Sequence, residues 1–227
     1  MRQTSLNLIA IGIFVITMST LLGPMFNVSP AIPAIATFSL LVMATIDTLG
    51  WQGQGSAIII DLIEGTSSAR RDRIIRHEAG HFLTAYLLKI PVSGYALSAW
   101  EAFRQGQSAQ GGVRFEDQEL AAQLQKGRIS DELLDRYFTV WMAGIAAEDL
   151  VYGNAEGGIE DRGKITAILT QLKRPSESKL KQSWASLQAR TLLENHQSSY
   201  QALVEAMTKR ASVFDCYQAI QQHLSVN

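Results

Sequence analysis

Between Gln3 and Ile46 the chain carries no charged side chain. No other feature limits the fold as much. A hydrocarbon core about 30 Å thick takes a helix of about 20 apolar residues, inside which every backbone group must find its partner. Residues 6–26 are long enough to cross such a core, and residues 31–49 nearly so, ending in Asp47 with Trp51 placed for the headgroup level. Asn27-Val28-Ser29-Pro30 between them reads as a tight turn. The expectation is a two-span transmembrane hairpin over residues 1–50, a linker over 51–68 and a separate domain over 69–227. A cleaved signal peptide is the competing reading, because Ala34-Ile35-Ala36 has the small-x-small form. Against it, the lone Arg2 is a poor basic start and the apolar stretch is too long. Both ends of a hairpin lie on one side of the membrane. Arg70, Arg71, Arg73 and Arg76 follow the spans while the turn is uncharged, which favours the cytoplasmic or stromal face for the rest of the chain.

The second constraint is His77-Glu78-Ala79-Gly80-His81, inside a predicted helix over residues 69–89. At about 100° per residue the two histidines project within about 40° of each other, so both imidazoles can reach one metal ion. Glu78 is turned about 100° from His77, close enough to lean over a water on that metal without being a ligand. Zinc held by two or three protein groups keeps a position open for water and lowers its pKa to about 7, and a neighbouring carboxylate can take the remaining proton. The implied chemistry is hydrolysis. Ser67 or Ser68 is placed to cap the helix and Pro91 to stop it. Ile75, Ala79, Phe82, Leu83, Tyr86 and Ile90 form one apolar stripe, roughly opposite the histidines.

After Pro91 the period changes. Residues 92–100 and 111–115 are short β-prone runs around a polar, Gln-rich segment, reading as a small hairpin or as an edge that takes an extended peptide by strand addition. Residues 130–152 return to a helical period, with Ala143-Gly144-Ile145-Ala146-Ala147 small enough for close packing against the histidine helix and Gly153-Asn154 ending it. A further helix is predicted over 161–173, a break at Arg174-Pro175-Ser176, and two amphipathic helices over 178–194 and 198–224. The fold class is thus mainly α, with a small β element. The linker, with Ile58-Ile59-Ile60 between glycines and acids, reads as a short interfacial helix or strand. Net charge −1 gives no reason to expect nucleic acid as a partner, and the single Cys216 excludes an internal disulfide framework.

Two histidines need a third protein ligand. The other histidines, His196 and His223, lie in the C-terminal helical region, and the carboxylates Glu148, Asp149, Glu156, Glu160 and Asp161 are better candidates. The residues alone divide the choice between Glu148, on a helix expected to face the first, and Asp161, at a glycine-rich turn where it also suits a helix N-cap.

Three ordered motifs, the string HEAGH, residues 143–149 and Gly157-Gly158-Ile159-Glu160-Asp161 with Thr166, resemble the peptidase domain of the FtsH family of membrane-anchored zinc proteases. Ala189, Leu192, Leu193, Asn195 and Leu203 look similar too, so the resemblance covers roughly residues 70–220. In that family two histidines and a downstream aspartate bind zinc, which the motif match places at Asp161, and Glu148 becomes a carboxylate that orients a ligand histidine. The departures matter as much. FtsH proteases carry an ATPase module between spans and peptidase; here residues 50–68 are all that separate them. Gly158 to Lys164 spells GxxxxGK, but Ile165 stands where a phosphate-binding loop needs Ser or Thr. Ile145 stands where the family has arginine. Motor-less relatives of this kind resemble those of cyanobacteria and chloroplasts, implying a thylakoid or plasma membrane.

The sequence therefore leads to a membrane-anchored zinc metalloendopeptidase with His77, His81 and Asp161 as metal ligands and Glu78 as general base. Its expected partners are the bilayer, protein or peptide substrates, and a partner AAA ATPase or further copies in an oligomer. A catalytically idle zinc-binding scaffold is the alternative, against which the presence of Glu78 counts, since metal binding alone does not need it. Intramembrane proteolysis requires HExxH within a span, and the four arginines before His77 argue against that.

Overall fold

The computed structural model describes residues 2–50, 55, 58–59, 67–106 and 111–224, and it is mainly α-helical with one two-stranded sheet. Most of the linker, residues 51–65, lies outside the described residues. The chain divides into two compact units, one of Met1–Ser67 with Ser98–Gly111 and one of Ser68–Leu97 with Gly112–Asn227.

In the first unit α1 (Arg2–Leu22) runs into a 3-10 turn, Gly23–Phe26, and α2 (Ala31–Gly50) follows. The turn closes on Asn27, whose φ of 57° is left-handed, with the Val28 N–H donating to the Gly23 carbonyl at 2.9 Å. Both helices are long and apolar enough to cross a membrane. Their large side chains stay exposed, Phe14 at 63% and Phe38 at 69% among them. The unit also holds a short helix, α4 (Ala99–Arg104), capped by the Ser98 hydroxyl on the Glu101 N–H at 3.0 Å. Here the β-prone run predicted over 92–100 ends early: the strand stops at Ala96, and the Ser98 cap turns the chain into a helix.

The second unit is built on two helices, α3 (Ser68–Leu87) and α6 (Asp131–Tyr152), which pack as their small residues predict. They come close together at Gly80. A Cβ there would lie 2.6 Å from the Ala143 carbonyl oxygen and 2.7 Å from the Ala147 methyl, so only glycine permits this spacing. The apolar stripe of α3 is buried apart from the half-buried Tyr86, but so are His77, Gly80, His81 and Thr84; the histidine face lies inside the protein, not on a solvated surface. Between α3 and α6 come β1 (Val92–Ala96), β2 (Gly112–Phe115) and α5 (Gln118–Gln125). The strands pair antiparallel, with Tyr95 opposite Val113. Helix α5 buries little beyond Leu120 and has no counterpart in the sequence reading.

Beyond α6 follow α7 (Ile159–Gln171), α8 (Ser178–Asn195), α9 (Gln197–Thr208) and α10 (Val213–His223). Helix α6 lies between α3 and α8, and α9 packs on α3 and α10. The single helix expected over 198–224 is thus two. Arg210, at φ 58°, breaks it, and Ser212 with Asp215 forms a capping box that restarts it. Helices α3, α7 and α9 all end on a left-handed cation, Lys89, Lys173 and Arg210. At each, the following N–H reaches back to a carbonyl of the last turn: Ile90 to Ala85, Arg174 to Leu169, Ala211 to Ala206. A left-handed L-residue costs about 1–2 kcal/mol, offset by those bonds and by a cation at the negative end of the helix dipole. Helix α3 therefore stops at Leu87, ahead of Pro91, and the Arg136 guanidinium of α6 donates to the freed Leu88 carbonyl at 3.0 Å.

Candidate metal centre

Four segments converge on one point. Helix α3 presents His77 and His81 one turn apart. Helix α6 lies across them with Val140, Gly144 and Glu148 one turn apart from each other. The loop after Gly153 and the first turn of α7 bring in Asp161. Gly158, at φ 87°, starts α7, so Asp161 is the third residue of that helix and not its N-cap. The left-handed glycine is needed twice over, since a Cβ at Gly158 would collide with the buried Ile145 side chain. Ile145 therefore acts as the seat on which this turn rests.

His77 and His81 each commit Nδ1 to a partner. His77 Nδ1–H donates to Glu148 Oε1 at 2.7 Å, and His81 Nδ1–H donates to the Val140 carbonyl at 2.7 Å. This sets the tautomers and leaves the lone pair of each Nε2 pointing inward. The two Nε2 atoms are 3.0 Å apart, and Asp161 Oδ2 lies 3.5 Å from each. Three acceptors so placed repel one another unless a proton or a metal ion sits among them. Zinc with tetrahedral bonds of about 2.0–2.1 Å sets neighbouring ligand atoms about 3.3 Å apart, which matches the triangle. Among the described residues, His77, His81 and Asp161 are the group able to hold a metal ion. Two imidazoles and one carboxylate suit zinc and other borderline divalent ions.

The surroundings are tuned for this charge. Burial raises the Glu148 pKa, but His77, the Glu156 N–H and the Arg73 guanidinium outweigh it and bring it down to about 2. Arg73 Nη1 is 2.9 Å from Glu148 Oε2, stacks over the Tyr152 ring and donates to Asn154, so one cation holds both the carboxylate and the loop leading to Asp161. The Glu156 and Gly157 N–H groups also donate to Glu148. Burial opposes charge on Asp161 too, yet the histidines hold its carboxyl far below the usual range, and Lys164 Nζ pairs with its other oxygen at 3.0 Å. Glu78 is adjacent to the triad, and its carboxylate accepts from the Val113 N–H of β2 at 2.9 Å.

Burial also works against a charged His77, but Asp161 and Glu148 override it and raise its pKa from 6.5 to about 10. In the metal-free protein this contributes stability that is fully present below pH 6.5 and lost as pH rises toward 10. The same proton competes with a metal for Nε2, so metal affinity moves the opposite way. In chelator, the melting temperature of the unit that holds the histidines should fall from pH 6.5 to pH 9.5, while zinc affinity rises by up to about tenfold per pH unit.

Of the other predicted candidates, Glu148 lies on the far nitrogen of His77 and not at the triangle, and Glu156 and Asp149 are exposed. His196 sits between α8 and α9, and His223 bonds its own helix at the Ala219 carbonyl. Replacing Glu148 with alanine should weaken zinc binding roughly 10–100-fold, as loss of an orienting partner does, without removing the site; competition with a chromogenic chelator measures it. The residue that sequence reasoning missed is Gly144. A Cβ there would lie 2.5 Å from His81 Nε2 and as close to His77, against the two nitrogens that a metal would need. The small-residue run was the visible signal, read only as packing.

The chain was compared with known protein families and with curated proteins. No family model matches it, and no curated protein does.

Proposed function

We propose that the protein is a membrane-anchored zinc metalloendopeptidase, FtsH-like in its peptidase unit and working without a motor of its own. The observation that carries this reading is the convergence of His77 Nε2, His81 Nε2 and Asp161 Oδ2 beside the Glu78 carboxylate. A divalent metal held by those three atoms supplies a Lewis acid for water and for a peptide carbonyl. Glu78 accepts the proton of the attacking water at its carboxylate and passes it to the departing amide nitrogen. Val113 in β2 turns its N–H away from β1 and toward Glu78, so the outer edge of β2 is placed to receive an extended peptide by strand addition. Glu148 and Arg73 hold the Nδ1 proton of His77 and so keep its Nε2 available.

Two membrane-length helices support anchoring in a bilayer. The cytoplasmic or stromal side, in a thylakoid or plasma membrane, rests on the arginines after the spans and on the family resemblance. Arg73 and Arg76 are both engaged by carboxylates, which weakens their share of that argument. Without a motor the substrates are unfolded or loosely folded chains, or are supplied by a partner AAA ATPase in a homo- or hetero-oligomer. Treating the detergent-purified protein with a chelator should abolish cleavage of an unfolded chain, and one equivalent of zinc should restore it. Cleavage that survives full metal removal contradicts the reading.

A further inference from the structure

Helix α4 stands apart from the peptidase chemistry. It is spliced between β1 and β2, yet it belongs to the compact unit that holds the two membrane-length helices. Its alanines are turned inward, Ala99 at 6% and Ala102 at 0% exposure, while its two aromatic residues are turned out, Trp100 at 53% and Phe103 at 48%. The exposed rings lie on one side of the helix, 5.9 Å apart and tilted by 23°, as one stacked apolar plate. A Trp–Phe pair held out of the protein is unfavourable in water, and among polar neighbours such as Glu101, Arg104 and Gln105 it has the composition of a segment lying in a bilayer interface. The unit it shares already presents apolar side chains on all sides of α1 and α2.

We propose that α4 is a second, monotopic membrane contact, with Trp100 and Phe103 seated at the headgroup level of the bilayer that α1 and α2 cross. This rests on the reading of α1 and α2 as spans. A single Phe or Trp of this kind is insufficient for stable binding alone; beside two spans it needs only to hold one helix in place.

The test uses full-length protein in nanodiscs of phosphatidylcholine and phosphatidylglycerol, with Cys216→Ala removing the native thiol and one nitroxide label introduced at a time. The labelled positions are Trp100, Phe103, Phe14 in α1 and the exposed Glu205 in α9. Each variant is used only if its helix content equals that of wild type. Depth is read from relaxation by oxygen against relaxation by an aqueous nickel chelate. The proposal expects labels at 100 and 103 to shift toward oxygen, between the values at 14 and 205. Labels at 100 and 103 that match 205, with 14 deep in lipid, overturn the α4 contact and leave the spans standing. A water-exposed label at 14 overturns the spans and the α4 contact together.

Discussion

Replacing Gly144 with alanine should take the metal out of the site while leaving the helices in place. The added methyl would lie 2.5 Å from His81 Nε2 and against His77 Nε2, the two atoms that a metal must touch at about 2.0–2.1 Å. It cannot be accommodated by a side-chain rotation, because both imidazoles are fixed on their other nitrogen, one by Glu148 and one by the Val140 carbonyl. Nor can α6 back away cheaply, since Gly80, Ala143 and Ala147 hold the two helices in contact one turn along. The expected result is a metal content that drops from about one per chain to near zero, with a circular dichroism spectrum like that of wild type. The stability cost is that of overpacking, about 1–3 kcal/mol. A Gly144→Ala protein that binds zinc as wild type does would show that the metal is not where the triangle puts it.

Much of this was readable in advance, for physical reasons that differ by element. The charge-free stretch and the histidine helix declare themselves through length and period, which local sequence carries. Asp161 and Glu148 could not be separated by spacing, because the choice depends on how the loop at Gly157 and Gly158 folds over Ile145. That turn is a tertiary fact: Arg73 and two backbone N–H groups pull Glu148 onto the outer nitrogen of His77, and this leaves the inner position to Asp161. The break at Arg210 was missed, since a left-handed cation carries no glycine signal, whereas α3 and α7 end within two residues of the predicted Lys89 and Lys173. Ser212 followed by Asp215 did carry a capping signal within the last predicted helix, and the structure uses it. Gly144 and Gly80 looked alike as small residues; only the crossing of α3 and α6 assigns one to packing and the other to the space between the imidazoles.

The second large effect concerns Glu78, whose carboxylate sits beside the triangle without belonging to it. Converting it to glutamine keeps the size and leaves an oxygen to accept from the Val113 N–H, so the fold and the three ligands are unaffected. What is lost is the capacity to take a proton from water, a contribution worth roughly 10²–10⁴-fold in rate. The scaffold alternative predicts no difference, because an idle site has no use for that proton. The decisive measurement is cleavage of an unfolded model protein by detergent-purified wild type and by Glu78→Gln, with bound metal counted in both. The account predicts about one metal per chain in each and cleavage confined to wild type. Equal metal with equal cleavage, or with none from either even when unfolded substrate is supplied, would contradict it.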